Sequence, residues 1–126
     1  MRFDVVTLFP EMFTGPLDSS ILGRARQSGL IEVALHDLRD YTEDRHRTAD
    51  DTPYGGGAGM VLKADPVFRL ADALFPGWGP NPGAGLKGKV PGARCICLSA
   101  QGRPLDQELV SRLAGEPRLL LLAGHY

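Results

Sequence analysis

The spacing of apolar and polar residues along the chain predicts strands that alternate with helices. Residues 3–9 form a nearly continuous, valine-rich apolar run that is too short for a helix and ends at Pro10. Such a run is typical of a strand buried on both faces. Similar runs predict strands at 30–38, 94–98 and 118–123. We therefore expect an α/β fold, a mostly parallel sheet with helices on both faces.

Three segments between these runs predict helices. Residues 18–28 begin with polar residues suited to a cap, carry apolar residues at helical spacing and stop before Gly29. A second helix is expected after Asp65 as its cap, with Pro66 in its first turn. A third is expected at 105–113.

The length and composition indicate one domain over residues 1–126, long enough to bury a core without metals or disulfides. Residues 76–93, rich in glycine and proline, read as a flexible surface loop within it. The formal net charge of −1 supplies no global attraction to nucleic acid, so an RNA partner would be held by a local patch. No apolar run is long enough to span a membrane and no signal peptide is evident, which predicts a cytoplasmic protein.

The two cysteines, Cys95 and Cys97, lie two residues apart in a predicted strand and share one face. This spacing is neither a redox CxxC pair nor half of a zinc site, so we expect buried thiols. Histidine spacing gives no zinc site either, and His36, inside a strand, is expected to be structural.

The segment 43–60 concentrates charge and glycine. Arg45, His46 and Arg47 precede Asp50 and Asp51, and four glycines follow within the five positions 55–59. Glycine tolerates positive φ and lets backbone N–H groups approach a flat or anionic ligand. The spacing matches neither the P-loop nor the dinucleotide fingerprint. Composition alone leaves three interpretations open: a flexible loop, solvated ion pairs, or a ligand-binding loop.

Ligands of parallel sheets bind beyond the carboxyl ends of the strands. Here two of those ends are followed by residues 99–102 and 124–126, which are candidate site loops. Since the chain stops as its last strand reaches this edge, we expect it to be a fragment.

Several motifs, in this order, resemble the N-terminal domain of one enzyme family over nearly the whole chain. The family is the bacterial tRNA (guanine-N1-)-methyltransferases, TrmD. The motifs are Leu8-Phe-Pro-Glu-Met-Phe13, Asp44-Arg-His-Arg-Thr48, Asp50-Asp51, Pro53-Tyr-Gly-Gly-Gly57 with Gly59-Met60, Leu98-Ser99, Gln101-Gly-Arg103 and Leu105-Asp-Gln107.

The resemblance implies a SPOUT-type α/β knot, a homodimer, and transfer of a methyl group from S-adenosylmethionine to N1 of the guanine just 3′ of the tRNA anticodon. It also implies dependence on Mg²⁺, at a site it does not locate. By position, the cofactor would lie against Cys97, Leu98, Ser99, Ala100, Gly124 and Tyr126. The target guanine and tRNA would be held by Arg45, His46, Asp50, Tyr54, Gly55 and Gly59.

Some positions depart from the family pattern, which usually has proline at Ala100, often proline at Ala58, and arginine at His125. The family's general base and its C-terminal tRNA-binding domain would lie beyond Tyr126. We therefore assign no catalytic residue within the chain, take its knot as incomplete, and expect the isolated chain to be inactive. Two alternatives remain: a non-catalytic α/β module that binds a nucleotide or anion, and a dimerisation domain.

Overall fold

A four-stranded parallel sheet lies at the centre of the computed structural model, which describes residues 1–76 and 92–125. In chain order the strands are β1 (Arg2–Thr7), β2 (Glu32–Asp37), β3 (Asp50–Asp51), β4 (Val61–Leu62), β5 (Arg94–Cys97) and β6 (Arg118–Ala123). The order of strands in the sheet is β2-β1-β6-β5, and every pairing is parallel. A separate antiparallel ribbon joins β3 to β4. The predicted mostly parallel sheet is confirmed.

In the described part of the chain, four helices and one short 3-10 turn connect the strands. The turn, Leu38–Tyr41, follows β2 directly, and the Asp37 side chain accepts a hydrogen bond from the Arg39 backbone N–H at 2.9 Å, which caps it. The helices are α1 (Glu11–Asp18), α2 (Ser20–Gln27), α3 (Ala64–Leu74) and α4 (Gln107–Leu113).

Both faces of the sheet are covered. On one face Val6 and Leu120 pack with Leu70 and Phe75, from α3 and the residue that follows it. On the other face Val5 and Leu119 are also buried. The connections β1 to β2 and β5 to β6 cross the sheet in the same direction, and β2 to β5 crosses in the opposite direction. The right-handed crossover rule therefore places α1, α2 and α4 opposite α3.

The first helical region differs from the prediction of a single helix at 18–28. It contains two helices, because the chain turns at Ser20, whose φ is +53°. Helix α1 was missed because Gly15 and Pro16 lie within it, and proline normally interrupts a helix. The two helices pack so closely that a Cβ on Gly23 would lie 2.4 Å from the Asp18 carbonyl oxygen.

Two further helix starts were wrong. Asp65 does not cap α3: the cap position is Lys63, whose backbone N–H donates to the Ala49 carbonyl at 2.9 Å, so the helix continues directly from the β3–β4 ribbon. Asp65 lies in the first turn instead, where its charge favours the helix dipole. Helix α4 begins two residues later than predicted, with Asp106 as cap accepting from the Leu109 N–H at 2.7 Å.

The prediction of buried thiols was also wrong. Cys95 and Cys97 do share one face of β5, but both are exposed. The reason is that β5 is an edge strand of this sheet and its side chains are largely open to solvent.

The predicted flexible loop at 76–93 lies mostly outside the described residues, which omit 77–91. Within the described ranges, no helix is long and apolar enough to cross a membrane.

Candidate functional site

The carboxyl ends of β5 and β6 lie side by side, so the two candidate loops that follow them are neighbours. Leu98 continues the ladder beyond β5, with its N–H donating to the Leu122 carbonyl at 3.0 Å. Gly124 and His125 follow β6. The structure therefore brings the described candidate cofactor residues to one edge of the sheet. Tyr126, the remaining candidate, lies outside the described residues.

A tight turn follows Leu98 at this edge. The Ser99 hydroxyl accepts from the Gln101 N–H at 3.2 Å, and the Ser99 carbonyl accepts from the Gly102 N–H at 3.0 Å. The turn leaves little room at its end, since a Cβ on Gly102 would lie 3.1 Å from the Ser99 carbonyl oxygen. The Leu98 residue is 55% exposed, unusual for a large apolar residue at a strand end. The edge thus presents an apolar surface beside exposed backbone.

The glycine-rich loop is the tip of the β3–β4 ribbon. Asp50 pairs with Leu62 and Asp51 with Val61, and the Gly56 N–H closes a turn onto the Pro53 carbonyl at 3.0 Å. Tyr54 is 100% exposed. Four glycines of the loop have φ between +78° and +126°, a region that disfavours other residues, so the expected need for glycine is confirmed. They are Gly55, Gly56, Gly57 and Gly59.

The base of the ribbon meets the end of β6. A Cβ placed on Gly124 would lie 3.8 Å from the Leu62 Cδ2 atom, and Leu62 packs against the same core as Leu122. The side chains of Leu62 and Asp50 belong to paired positions of the ribbon. The structure therefore places the acidic, glycine-rich loop and the β6 loop as neighbours, although they are far apart in sequence.

The polar candidates of the 43–60 segment have different environments. Asp50 is half-buried, and within the described part of the chain its carboxylate makes no hydrogen bond or ion pair. Arg45 and His46 are exposed and make no such contact with a described residue either. The structure therefore does not join Arg45 or His46 to the other candidates.

Two other charged residues of the same segment form bonds with nearby residues of the chain. Asp44 accepts from the Thr48 hydroxyl at 2.7 Å and from the Thr48 N–H at 3.0 Å, and these bonds, the hydroxyl's first, lower the pKa of Asp44. Arg47 pairs with Asp40, as the interpretation of ion pairs expects, and has a positive φ of +53°. The bonds of Asp44 and Arg47 therefore stabilise the conformation of the segment.

Sequence reasoning missed a cluster next to this site. The Arg39 guanidinium lies 5.4 Å from the centre of the Phe9 ring and donates to the Leu8 carbonyl. Phe9 in turn meets the His125 ring edge-on, with ring centres 5.1 Å apart at 74°. These residues follow three different strands, so only knowledge of the order β2-β1-β6 would have brought them together.

No metal site is evident at this edge. Within residues 1–76 and 92–125, no three His, Cys, Asp or Glu side chains converge as metal ligands would. Mg²⁺ often keeps several waters and takes only one or two carboxylates from the protein, so the site of the expected Mg²⁺ stays unassigned.

An α/β domain with polar loops and a glycine-rich ribbon along the carboxyl edge of a parallel sheet belongs to the class that binds ligands at that edge. Comparison with known proteins identifies the family. The family model described as "tRNA (Guanine-1)-methyltransferase TrmD" matches residues 1–126. The chain therefore belongs to the TrmD family.

Relatives and a solved structure agree with this assignment. Proteins from Chloroflexus aurantiacus and Chloroflexus aggregans, both named tRNA (guanine-N(1)-)-methyltransferase, are 53% and 50% identical over all of this chain. The chain covers 46% and 45% of their lengths, so it spans about half of the curated relatives it matches. The crystal structure of the tRNA (m1G37) methyltransferase from Aquifex aeolicus is similar with a TM-score of 0.76 and 30% identity, over 97% of this chain and 50% of that one.

Proposed function

We propose that the chain is the N-terminal, S-adenosylmethionine-binding domain of a tRNA methyltransferase that methylates N1 of the guanine just 3′ of the anticodon. Family membership and the names of the relatives support this assignment. The observation that supports it best is the position of the Leu62 side chain beside Gly124, 3.8 Å from where a Cβ of that residue would lie, because it sets the loop proposed to hold the base beside the edge proposed to hold the cofactor.

The cofactor edge fits an adenosine group chemically. Exposed Leu98 offers an apolar wall, and the turn at Ser99 and Ala100 exposes backbone groups. Gly124 has no Cβ to fill the space beside it, and the nearest side-chain atom to that position is 3.8 Å away. Cys97 and Tyr126 complete the proposed set. When bound, S-adenosylmethionine supplies an electrophilic methyl group, and these residues hold and orient it.

The 43–60 segment would hold the target base. Asp50 would accept from the exocyclic amino group of guanine, a donor that adenine lacks at the same position. Tyr54 offers an exposed ring on which an unstacked base can lie, while Gly55 and Gly59 allow close backbone approach. Arg45 and His46 would contact the tRNA backbone, since they are exposed and make no ion pair with a described residue.

Methyl transfer to N1 of guanine also requires removal of the N1 proton, which needs a general base. We assign no residue of this chain to that role, and we propose that the base and a C-terminal tRNA-binding domain belong to the remainder of the protein. The isolated chain would then be inactive.

The remaining features belong to the same proposal. A SPOUT-type knot would be completed by residues beyond this chain, and the protein would act in the cytoplasm as a homodimer.

The test is a methyl-transfer assay with the full-length gene product and S-adenosylmethionine carrying a labelled methyl group. The substrates are a tRNA with guanine 3′ of the anticodon and the same tRNA with adenine there. We expect label at N1 of the guanine only, and no turnover by residues 1–126 alone.

Two results would count against this proposal. Turnover by the isolated chain at a rate near that of the full-length protein would contradict the assignment of the base elsewhere. Binding of tRNA or nucleotides by the full-length protein, without methyl transfer and without preference for S-adenosylmethionine, would favour the alternative of a non-catalytic binding module.

A further inference from the structure

Arg39 joins the ends of two strands at the candidate site. Its guanidinium donates to the Leu8 carbonyl, just beyond β1, and lies over the Phe9 ring at 5.4 Å. The same guanidinium is 3.8 Å from the Asp37 carboxylate at the end of β2. One side chain therefore links the residue that follows β1 to the last residue of β2, beyond the final ladder pair of Thr7 with Asp37.

The backbone of Arg39 holds the 43–60 segment. Its carbonyl accepts from the Thr42 hydroxyl at 2.8 Å and from the Arg47 Nε at 3.4 Å. Arg47 also pairs with Asp40, in the same 3-10 turn, and lies 4.0 Å from Asp37. The segment is thus bonded through Arg47 to the 3-10 turn that contains Arg39, and the Arg39 side chain joins that turn to the residues after β1.

On its other side, the cluster reaches the candidate cofactor loop. Phe9, under the Arg39 guanidinium, contacts the His125 ring edge-on. His125 directly follows Gly124, which the ribbon residue Leu62 approaches. The loops proposed for base and cofactor are therefore connected in two ways, directly at Leu62 and through the Arg39–Phe9–His125 cluster.

The cluster needs the geometry of arginine. A planar guanidinium donates hydrogen bonds in its plane while its face stacks on an aromatic ring, and a lysine ammonium does only the first of these well. Arg39 touches neither of the groups that would react, so a role here is one of position.

We propose that Arg39 is a positioning residue that holds the 43–60 segment in register with the cofactor edge. The proposal rests on the proposed function for the identity of the ligands. The physical claim is independent of it: loss of the guanidinium stack should loosen the 43–60 segment before it loosens the sheet.

The test uses the full-length protein with Arg39→Lys, which keeps the charge, and Phe9→Leu, which removes the ring but leaves the Leu8 carbonyl. Amide hydrogen exchange is followed at Thr48, bound to Asp44, and at Leu98, bound to β6. We expect faster exchange at Thr48 in both variants and unchanged exchange at Leu98. The KM for tRNA should rise about tenfold in Arg39→Lys with a smaller change in kcat, as for a displaced binding segment.

The matched control is Arg112→Lys, an exposed arginine in the last turn of α4, which should change neither quantity. Unchanged exchange at Thr48 in Arg39→Lys would overturn the proposal. Equal acceleration at Thr48 and Leu98 would also overturn it, because it would show only general destabilisation. Faster exchange confined to the 43–60 segment in a protein that methylates no tRNA would support Arg39 as a positioning residue and reject the proposed function.

Discussion

The two edges of the sheet differ in whether their carboxylate has basic partners, as Asp4 at one edge and Asp50 at the other show. At the amino-terminal edge the Asp4 carboxylate is 0% exposed and has three basic partners: Arg118 Nε at 2.6 Å, His36 Nε2 at 2.9 Å and Arg2 Nη2 at 3.1 Å. Phe75 covers Arg118, with its ring centre 4.3 Å from the guanidinium carbon. The polar groups at this edge are therefore paired with one another within the fold.

At the carboxyl-terminal edge, Asp50 is half-buried and has no such partner among the described residues, while Arg45, His46 and Tyr54 face solvent. A buried charge without a partner lowers stability unless something else satisfies it. The comparison therefore separates charges that stabilise the fold from charges left available to a ligand. Substitutions at the two edges should fail in different ways.

The largest effect is expected at Asp4. Asp4→Asn leaves Arg2 and Arg118 without their carboxylate, and breaking a buried ion pair in this way costs about 3–5 kcal/mol. We expect the free energy of unfolding in urea to fall by about 3 kcal/mol, because asparagine retains part of the hydrogen bonding. The matched control is Glu32→Gln, which removes the exposed partner of Arg2 at 2.9 Å and should cost less than about 1 kcal/mol. Equal losses would contradict the assignment.

The pH dependence sharpens this prediction. Burial alone raises the pKa of Asp4, but hydrogen bonds from Arg118, Arg2 and His36 outweigh it and hold the pKa well below its ordinary value. The unfolded chain therefore binds a proton first, near pH 3.9. Asp4 contributes its full stability above about pH 4, and that stability is lost progressively as pH falls further. Between pH 5 and pH 2.5, the free energy of unfolding should fall more steeply with decreasing pH for the wild type than for Asp4→Asn. Equal slopes for the two proteins would exclude this role.

The sequence predicted the sheet better than it predicted these edges. The apolar runs at β1 and β6 place their strands within two residues, because burial on both faces leaves a strong pattern. The β3–β4 ribbon has two residues in each strand, too few to leave an apolar pattern in the sequence. The Asp4 cluster was missed apart from a structural role for His36, since its members come from three strands and only the register aligns them.

For the candidate site, the segment 43–60 could be singled out from the sequence because its glycines and charges are contiguous, and its role in binding stays a prediction. The environments within it were not predictable. Nothing in the sequence separates Arg47, which pairs with Asp40, from Arg45, which remains exposed. That distinction depends on the turn after β2, where Asp37 caps the chain and places Asp40 within reach.

A smaller effect, on activity alone, is expected at Asp50. Asp50→Asn keeps the shape but removes the charge that would accept from the guanine amino group. We expect kcat/KM for tRNA to fall about 10- to 100-fold, since a hydrogen bond to a charged group contributes about 1.5–3 kcal/mol. The free energy of unfolding should not fall, because no described residue loses a partner.

The control for Asp50 is Asp72→Asn, an exposed carboxylate on α3, which should leave both quantities unchanged. Methyl transfer by Asp50→Asn at the wild-type rate would remove Asp50 from the site. A loss of stability comparable to that of Asp4→Asn would instead place Asp50 among the charges that hold the fold.

The smallest effect is expected from substitutions of glycine. Two glycines with similar positive φ angles lie at opposite edges of the sheet and can be compared. Gly56, in the ribbon tip, has φ +78°, and Gly29, between α2 and β2, has φ +73°; a Cβ would meet no atom within 4 Å at either position. Alanine in this region costs about 1–2 kcal/mol. Gly29 is held by its N–H bond to the Arg26 carbonyl at 3.1 Å, with the next residue bonded to Ala25 at 3.0 Å, so the strain of Gly29→Ala should appear as lost stability.

Gly56 makes a similar bond, from its N–H to the Pro53 carbonyl at 3.0 Å, but its turn lies at the exposed tip of a ribbon with two residues in each strand. We expect this tip to relax in the free protein, so the strain of Gly56→Ala should appear when the ligand requires the glycine conformation. We expect Gly56→Ala to weaken tRNA binding about fivefold, equivalent to about 1 kcal/mol, with little change in unfolding. Gly29→Ala should show the reverse. Titration of labelled tRNA and urea unfolding of both variants measure the two quantities. Identical behaviour of the two alanines would mean that the glycine-rich tip does not bind the ligand, and that the difference between the two edges lies in their charges alone.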